Sequence, residues 1–197
     1  GITDWVIEKV CQLLKEWKEK GLPIIPIAIN VPPIRFMKKG LFQHVKTQLE
    51  HYGIDPFYLE FEITEDTLLN IESSVYSTIQ SLKDLGIRIA VDDFGTGYAS
   101  LASIRKFKPN KIKIDKIFID NINNEDKVDN GIICATLNLA KSLEMNVVAE
   151  GVEEFEQLKF LKKNDCDVIQ GYLFSKPVKK EMFEHIMKAG YLSPQVS

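Results

Sequence analysis

The chain is poor in the residues that build zinc sites and disulfide frameworks. Its three cysteines, Cys11, Cys134 and Cys166, stand far apart with no paired spacing. That excludes a disulfide scaffold and a cysteine-rich zinc module, and leaves core thiols of a cytosolic protein. Histidine is equally scarce, and His44, His51 and His185 all fall in segments that read as helices, so an imidazole-rich metal centre is not expected. Positive charge is not in excess: the net charge of −3 argues against a general binder of DNA or RNA. No apolar run approaches the roughly 20 residues of a membrane span. The first residues carry no signal-peptide pattern. A cytoplasmic location is therefore expected, compatible with a membrane-anchored parent protein. Low-complexity tracts and linkers are also missing, so residues 1–197 read as one domain, long enough to bury a sizeable core. With 45% apolar and 27% charged residues, a folded globular chain is expected rather than a disordered one.

Apolar runs alternate with amphipathic stretches along the whole chain. A helix is expected from Gly1 to Gly21, with Trp5, Val6, Val10, Leu13, Leu14 and Trp17 at helical spacing and Gly21 placed to end it. Strands are expected at Ile24–Asn30, despite the unusual Pro26, and at Phe57–Ile63, Ile87–Asp92, Lys111–Asp115, Asn146–Glu150 and Val168–Gln170. Pro32 and Pro33 stop the first of these. Helices are expected over Leu41–Tyr52, Ser73–Leu85, Asp126–Leu143, Phe155–Lys163 and Lys180–Lys188. Strands that alternate with helices pair in parallel through crossovers. The expected architecture is α/β, a TIM-like (β/α) barrel.

Each strand ends in a polar residue: Asn30, Glu62, Asp92, Lys113, Glu150 and Gln170. Side chains alternate faces along a strand, so Glu60 and Glu62 share a face, as do Lys113 and Asp115. In a (β/α) barrel, residues at the carboxyl ends of the strands point into one mouth, where the chemistry sits. A single polar tip is ordinarily solvated, but six in succession with several carboxylates are not. Asp92 and Asp93 are adjacent and precede Gly95 and Gly97. Two carboxylates so close repel each other, and a cation relieves them. Carboxylates with an amide carbonyl are hard oxygen ligands that suit Mg²⁺ or Mn²⁺, and a bridged pair of such ions serves phosphodiester cleavage. Lys113 would orient a water or neutralise phosphate charge. It could instead form a Schiff base, but the crowd of carboxylates holds its pKa up and disfavours that. The basic stretch Arg105, Lys106, Lys108 and Lys111 reads as a solvated connection before a phosphate patch.

The run Asp92-Asp93-Phe94-Gly95-Thr96-Gly97-Tyr98-Ala99-Ser100-Leu101 closely resembles the signature of EAL domains, bacterial phosphodiesterases that open cyclic di-GMP. Glu62-Ile63-Thr64-Glu65, Lys113-Ile114-Asp115, Ala149-Glu150-Gly151-Val152-Glu153, Gln170-Gly171-Tyr172-Leu173-Phe174 and Asn30-Val31 match further motifs of that family in order. The resemblance spans the chain. It implies a first metal held by Asn30, Glu62 and Asp92, and a second shared by Asp92, Asp93 and Glu150, directly or through water. Glu150 would be the general base and Lys113 would position the attacking water. Gln170 would help order the site, Glu65 would brace the loop after the aspartates, and Glu153 would act from behind the ligands. The implied reaction is metal-assisted in-line attack of water on one phosphodiester of cyclic di-GMP, giving the linear dinucleotide. A homodimer is implied, with sensory or cyclase domains in the parent protein.

Two departures from the family pattern stand out. The Glu-Ala-Leu tripeptide is absent before Asn30, and Pro32 replaces the usual serine. With six strands expected where a barrel needs eight, residues 1–197 read as an N-terminally truncated EAL domain, an incomplete barrel lacking its first strands. One glutamate ligand would then be missing and the chain itself inactive or nearly so. A non-catalytic module that binds cyclic di-GMP or a protein is the alternative. Open sheet edges would favour dimerisation or aggregation.

Overall fold

A computed structural model of the chain describes residues 1–69, 73–97, 101–122, 128–190 and 193–194. Tyr98, Ala99 and Ser100 of the signature run, and the expected helix start at Asp126, lie outside the described residues. The strands β1 (Ile27–Asn30), β2 (Leu59–Thr64), β3 (Arg88–Phe94), β4 (Lys111–Ile114), β5 (Asn146–Ala149) and β6 (Val168–Ile169) form one parallel sheet in chain order. The sheet is curled into half a barrel. Helices α1 (Ile2–Glu19), α2 (Pro33–Met37), α3 (Leu41–Tyr52), α4 (Glu65–Leu69), α5 (Ser73–Leu85), α6 (Leu101–Phe107), α7 (Lys116–Ile119), α8 (Val128–Ser142), α9 (Phe155–Lys163) and α10 (Lys180–Ala189) fill the connections.

Local chemistry places the boundaries. In α1 the residues Ile7, Cys11, Leu14 and Trp17 are buried on one stripe, and Gly21 turns the chain out at φ +66°, where a side chain would be strained. The sheet ladder begins at Ile27 rather than at Ile24, because Pro26 has no N–H to give it. Pro33 opens α2, as the missing N–H is harmless in the first turn of a helix. Phe57 falls in a turn of 3₁₀ helix, Pro56–Tyr58, before β2. The short helices α2, α4 and α7 follow strand ends and are too brief to carry a readable amphipathic period.

The two faces of the sheet differ in kind. Ile29, Leu59, Phe61, Ile63, Ile89, Val91, Ile112, Ile114, Val147 and Ala149 form the outer face, at most 3% exposed, in one core with the helices. Burial of this face is the main driving force for the fold. The strand registers Asn30↔Glu62, Glu60↔Arg88, Ala90↔Lys111 and Lys113↔Val148 put polar and charged residues on the inner face instead. On the middle strands that face is covered, with Glu60 and Lys113 only 3% and 6% exposed. On the edge strands it is open at Asn30 and Gln170.

Candidate metal centre

Strands β2, β3, β4 and β5 carry the site at their carboxyl ends. Lys113 Nζ lies 2.8 Å from Glu62 Oε1, 2.9 Å from Asp92 Oδ1 and 2.9 Å from Glu150 Oε1. Burial alone would lower the lysine pKa, but the Glu62, Asp92 and Glu150 carboxylates outweigh it and hold the ammonium well above its ordinary value. A lysine held this firmly in its charged form is a poor Schiff-base nucleophile. The opposite pressure acts on the acids. Burial, then the charges of Asp92 and Glu62, raise the Glu150 pKa against the pull of Lys113.

Asp93 reaches the same place through the backbone. The register of β3 against β4 shifts between Val91 and Phe94, and Asp93 sits at φ +55°. A non-glycine residue in that region signals a constrained position. The bulge turns the second aspartate towards the mouth instead of the outer face. Asp92, Asp93 and Glu150 each offer a carboxylate oxygen, and the three oxygens lie within 4.8 Å of one another. Burial, the Asp92 charge and contact with Asp115 raise the Asp93 pKa. Asp92 Oδ1 is buried, and its described partner is the Lys113 ammonium that it shares with Glu62 and Glu150. A close group of hard oxygen donors, more carboxylates than the one Lys113 ammonium balances, fits a divalent cation.

The loop after the aspartates is pinned by Glu65, 4% exposed. Its Oε2 accepts hydrogen bonds from the N–H of Gly95 (2.8 Å) and of Gly97 (3.1 Å). Thr96 closes the turn by donating its hydroxyl to Asp93 O at 2.7 Å. A Cβ at Gly97 would sit 3.2 Å from the Glu65 carboxyl carbon, a tight contact.

The remaining expected site residues are placed as follows. Asn30 is exposed at the tip of β1, in register with Glu62. Glu62 joins the site through Lys113, not as a further member of the close carboxylate group. Gln170 and Glu153 line a cleft of about 660 Å³ with Glu150, Lys116, Tyr172 and Phe183. Glu153 is exposed and ion-paired to Lys116. Sequence reading missed Asp115 as a neighbour of Asp93 that also caps α7 through Ile117 N at 2.7 Å. It also missed Gln157, which accepts from Glu153 N and Glu154 N. A Gln three residues after the acidic start of α9 was the available signal.

A family model described as EAL domain matches residues 1–177. The chain belongs to the EAL domain family. Among curated EAL relatives it is similar to the cyclic di-GMP phosphodiesterase NbdA of Pseudomonas aeruginosa. The two are 36% identical over 189 residues, which cover 95% of this chain and 24% of that protein. It is similar to the PaMucR phosphodiesterase solved as a c-di-GMP complex, with TM-score 0.86 at 32% identity over 92% of this chain and 73% of that one. It is also similar to Klebsiella pneumoniae BlrP1 solved with manganese and cy-diGMP, with TM-score 0.75 at 27% identity over 87% of this chain and 44% of that one. The chain spans 21–24% of the length of the first curated relatives it matches. None of its described helices is long and apolar enough to cross a membrane.

Proposed function

We propose that the chain carries the metal-binding and catalytic residues of a phosphodiesterase that opens cyclic di-GMP to the linear dinucleotide. The observation that carries this reading is the close group Asp92, Asp93 and Glu150 beside a charged Lys113, at the mouth of an EAL-type half-barrel. The relatives named for cyclic di-GMP hydrolysis and the neighbour solved with manganese support it. Asn30, Glu62 and Asp92 would hold a first Mg²⁺ or Mn²⁺, and Asp92, Asp93 and Glu150 a second. Divalent cations bound there would supply a nucleophile at neutral pH and neutralise charge on the phosphoryl oxygens.

The protein's own groups then have definite work. Glu150, beside Lys113 and within the close carboxylate group, is placed to take the proton of the attacking water. Lys113 stays protonated; with cations drawing Glu62, Asp92 and Glu150 away from its ammonium, it would be free to orient that water and neutralise phosphate charge. Glu65 keeps the Asp93 loop in place through the two glycine amides. Gln170 and Glu153 border the cleft that opens beside Glu150.

Residues 1–197 are, in this reading, the C-terminal portion of an EAL domain. The Glu-Ala-Leu glutamate is absent from them, so the chain alone hydrolyses little or nothing. That absence favours a second reading, a module that binds cyclic di-GMP or a protein without cleaving it. A cytoplasmic homodimer with sensory or cyclase domains in the parent protein completes the proposal. The test is hydrolysis of cyclic di-GMP with Mn²⁺ by this chain and by a version extended upstream to include Glu-Ala-Leu. Turnover by the extended form alone, abolished by Asp92→Ala, is expected. Tight nucleotide binding without turnover in the extended form would replace the enzyme by a receptor, and turnover by the short chain would overturn the ligand assignment.

A further inference from the structure

We propose that Lys116 is a positioning residue for Glu150, clamping the turn of residues 150–153 onto the end of β4; the inference rests on the role given above to Glu150. Lys116 is the first residue of α7 and follows β4 almost at once, three residues after Lys113. Its own start is fixed, because Asp115 accepts a hydrogen bond from Ile117 N. From there the side chain crosses to the β5 loop. Its ammonium lies 3.1 Å from Glu153 Oε1 and donates to Gly151 O at 3.4 Å and to Asp120 Oδ1 at 2.6 Å. Its stem lies against the Cα of Gly151, where an added Cβ would overlap Lys116 Cβ, Cγ and Cδ. Gly151 stands at φ +70°, so this close approach and the turn both require glycine.

The rest of the turn is held from elsewhere. Val152 N donates to Gln170 O at 3.0 Å, and Gln157 accepts from Glu153 N at 2.8 Å while donating to Ile119 O. Gly151 itself, next to the ligand, is gripped by Lys116. The clamp joins two strands that each deliver a group to the site, Lys113 from β4 and Glu150 from β5. Lys116 and Glu153 are both 45% exposed, and exposed ion pairs contribute only about 0–1 kcal/mol to folding. Its consequence is therefore placement: a displacement of about 1 Å is enough to spoil a ligand or a base.

The test compares amide hydrogen exchange in the wild-type chain with Lys116→Met, which keeps the stem and removes the charge, with Lys116→Ala, and with Lys116→Arg. Exchange at Val152 and Glu153 is expected to accelerate about two- to five-fold in Lys116→Met and further in Lys116→Ala. The amides of β2 to β4 and the urea midpoint should not move, and Lys116→Arg should restore most of the protection. Unchanged exchange at Val152 and Glu153 in both Met and Ala variants would overturn the proposal. So would acceleration spread over the whole sheet with a fallen midpoint, which would make Lys116 merely structural. Mn²⁺ titration followed by electron paramagnetic resonance gives the second arm, and weaker uptake by Lys116→Met is expected. Uptake equal to wild type would overturn the link to Glu150. If the wild-type chain takes up no Mn²⁺, the metal reading fails, while the exchange data still decide the clamp.

Discussion

Two layers of the inner barrel face use the same strands and the same residue types to opposite effect. In the lower layer Lys111 Nζ donates to both oxygens of Glu60, at 2.7 and 2.8 Å. Arg88 stands on the other side, its Nε 3.9 Å from Glu60 Oε2 and its guanidinium over the Phe57 ring. One carboxylate is shared between two cations. Two residues further along β2 and β4, about 6.6 Å away, one ammonium is surrounded by Glu62, Asp92 and Glu150, with Asp93 close by. The lower layer has no need of a further cation. The upper layer retains negative charge that added cations would neutralise. A buried glutamate–lysine pair is thus no evidence of a site; the charge balance around it is.

The sharpest way to break the comparison is to remove one partner in each layer and ask what Mn²⁺ does. Glu60→Gln leaves Lys111 and Arg88 without their anion and is expected to destabilise the fold by about 3 kcal/mol, read from urea unfolding. Mn²⁺ should not restore that loss. Lys113→Met removes the ammonium that Glu62, Asp92 and Glu150 share and should destabilise the metal-free chain by about 2 kcal/mol. Here saturating Mn²⁺ should recover most of the loss, because an ion bound only to the folded state contributes about 2.7 kcal/mol at a hundred-fold excess over its Kd. Equal responses of the two variants to Mn²⁺ would erase the distinction between the layers.

A smaller effect of opposite sign is expected from Glu150→Gln. It relieves crowding in the upper layer, so the metal-free chain should gain about 0.5–1 kcal/mol while losing stabilisation by Mn²⁺. Destabilisation without metal would mean that Lys113 already balances the site. The smallest effect is on pH dependence. Glu150 and Asp93 have folded pKa values above their ordinary 4.5 and 3.8, so the folded chain keeps protons that the unfolded chain releases. Stability of the metal-free chain from these groups therefore falls as pH rises from the ordinary values through the raised ones, and is level above them. Because Asp4, Glu16 and Glu184 have lowered pKa values and pull the other way, the readout is the difference: from neutral pH down towards 4.5, stability by urea unfolding should change less favourably in Glu150→Gln than in the wild type, by about 1 kcal/mol or less.

Much of this was legible in the residues. The sequence pattern places the helices Leu41–Tyr52 and Phe155–Lys163 at the boundaries the structure shows, since each has a clear apolar stripe and an unambiguous end. The parallel order followed from alternation of element types. The short strand-end helices α2, α4 and α7 were not legible, because so few residues carry no period. Nor was the continuation of β3 through Phe94, where the bulge breaks the two-residue rhythm.

For the site, sequence alone determined which side chains share the inner face, because alternation along a strand is a local property. Glu60 with Glu62, and Lys111 with Lys113, follow from it directly. It also supplied the motifs by which the chain resembles EAL domains. Tertiary structure alone decided which charges meet. Glu150 reaches Lys113 through the pairing of β4 with β5, Asp93 reaches Asp92 and Glu150 through a left-handed turn, and Lys116 finds Gly151 across two loops. These distances depend on register and curl across the whole sheet, so electrostatic balance, and with it the difference between a structural ion pair and a metal centre, appears only when the strands are assembled.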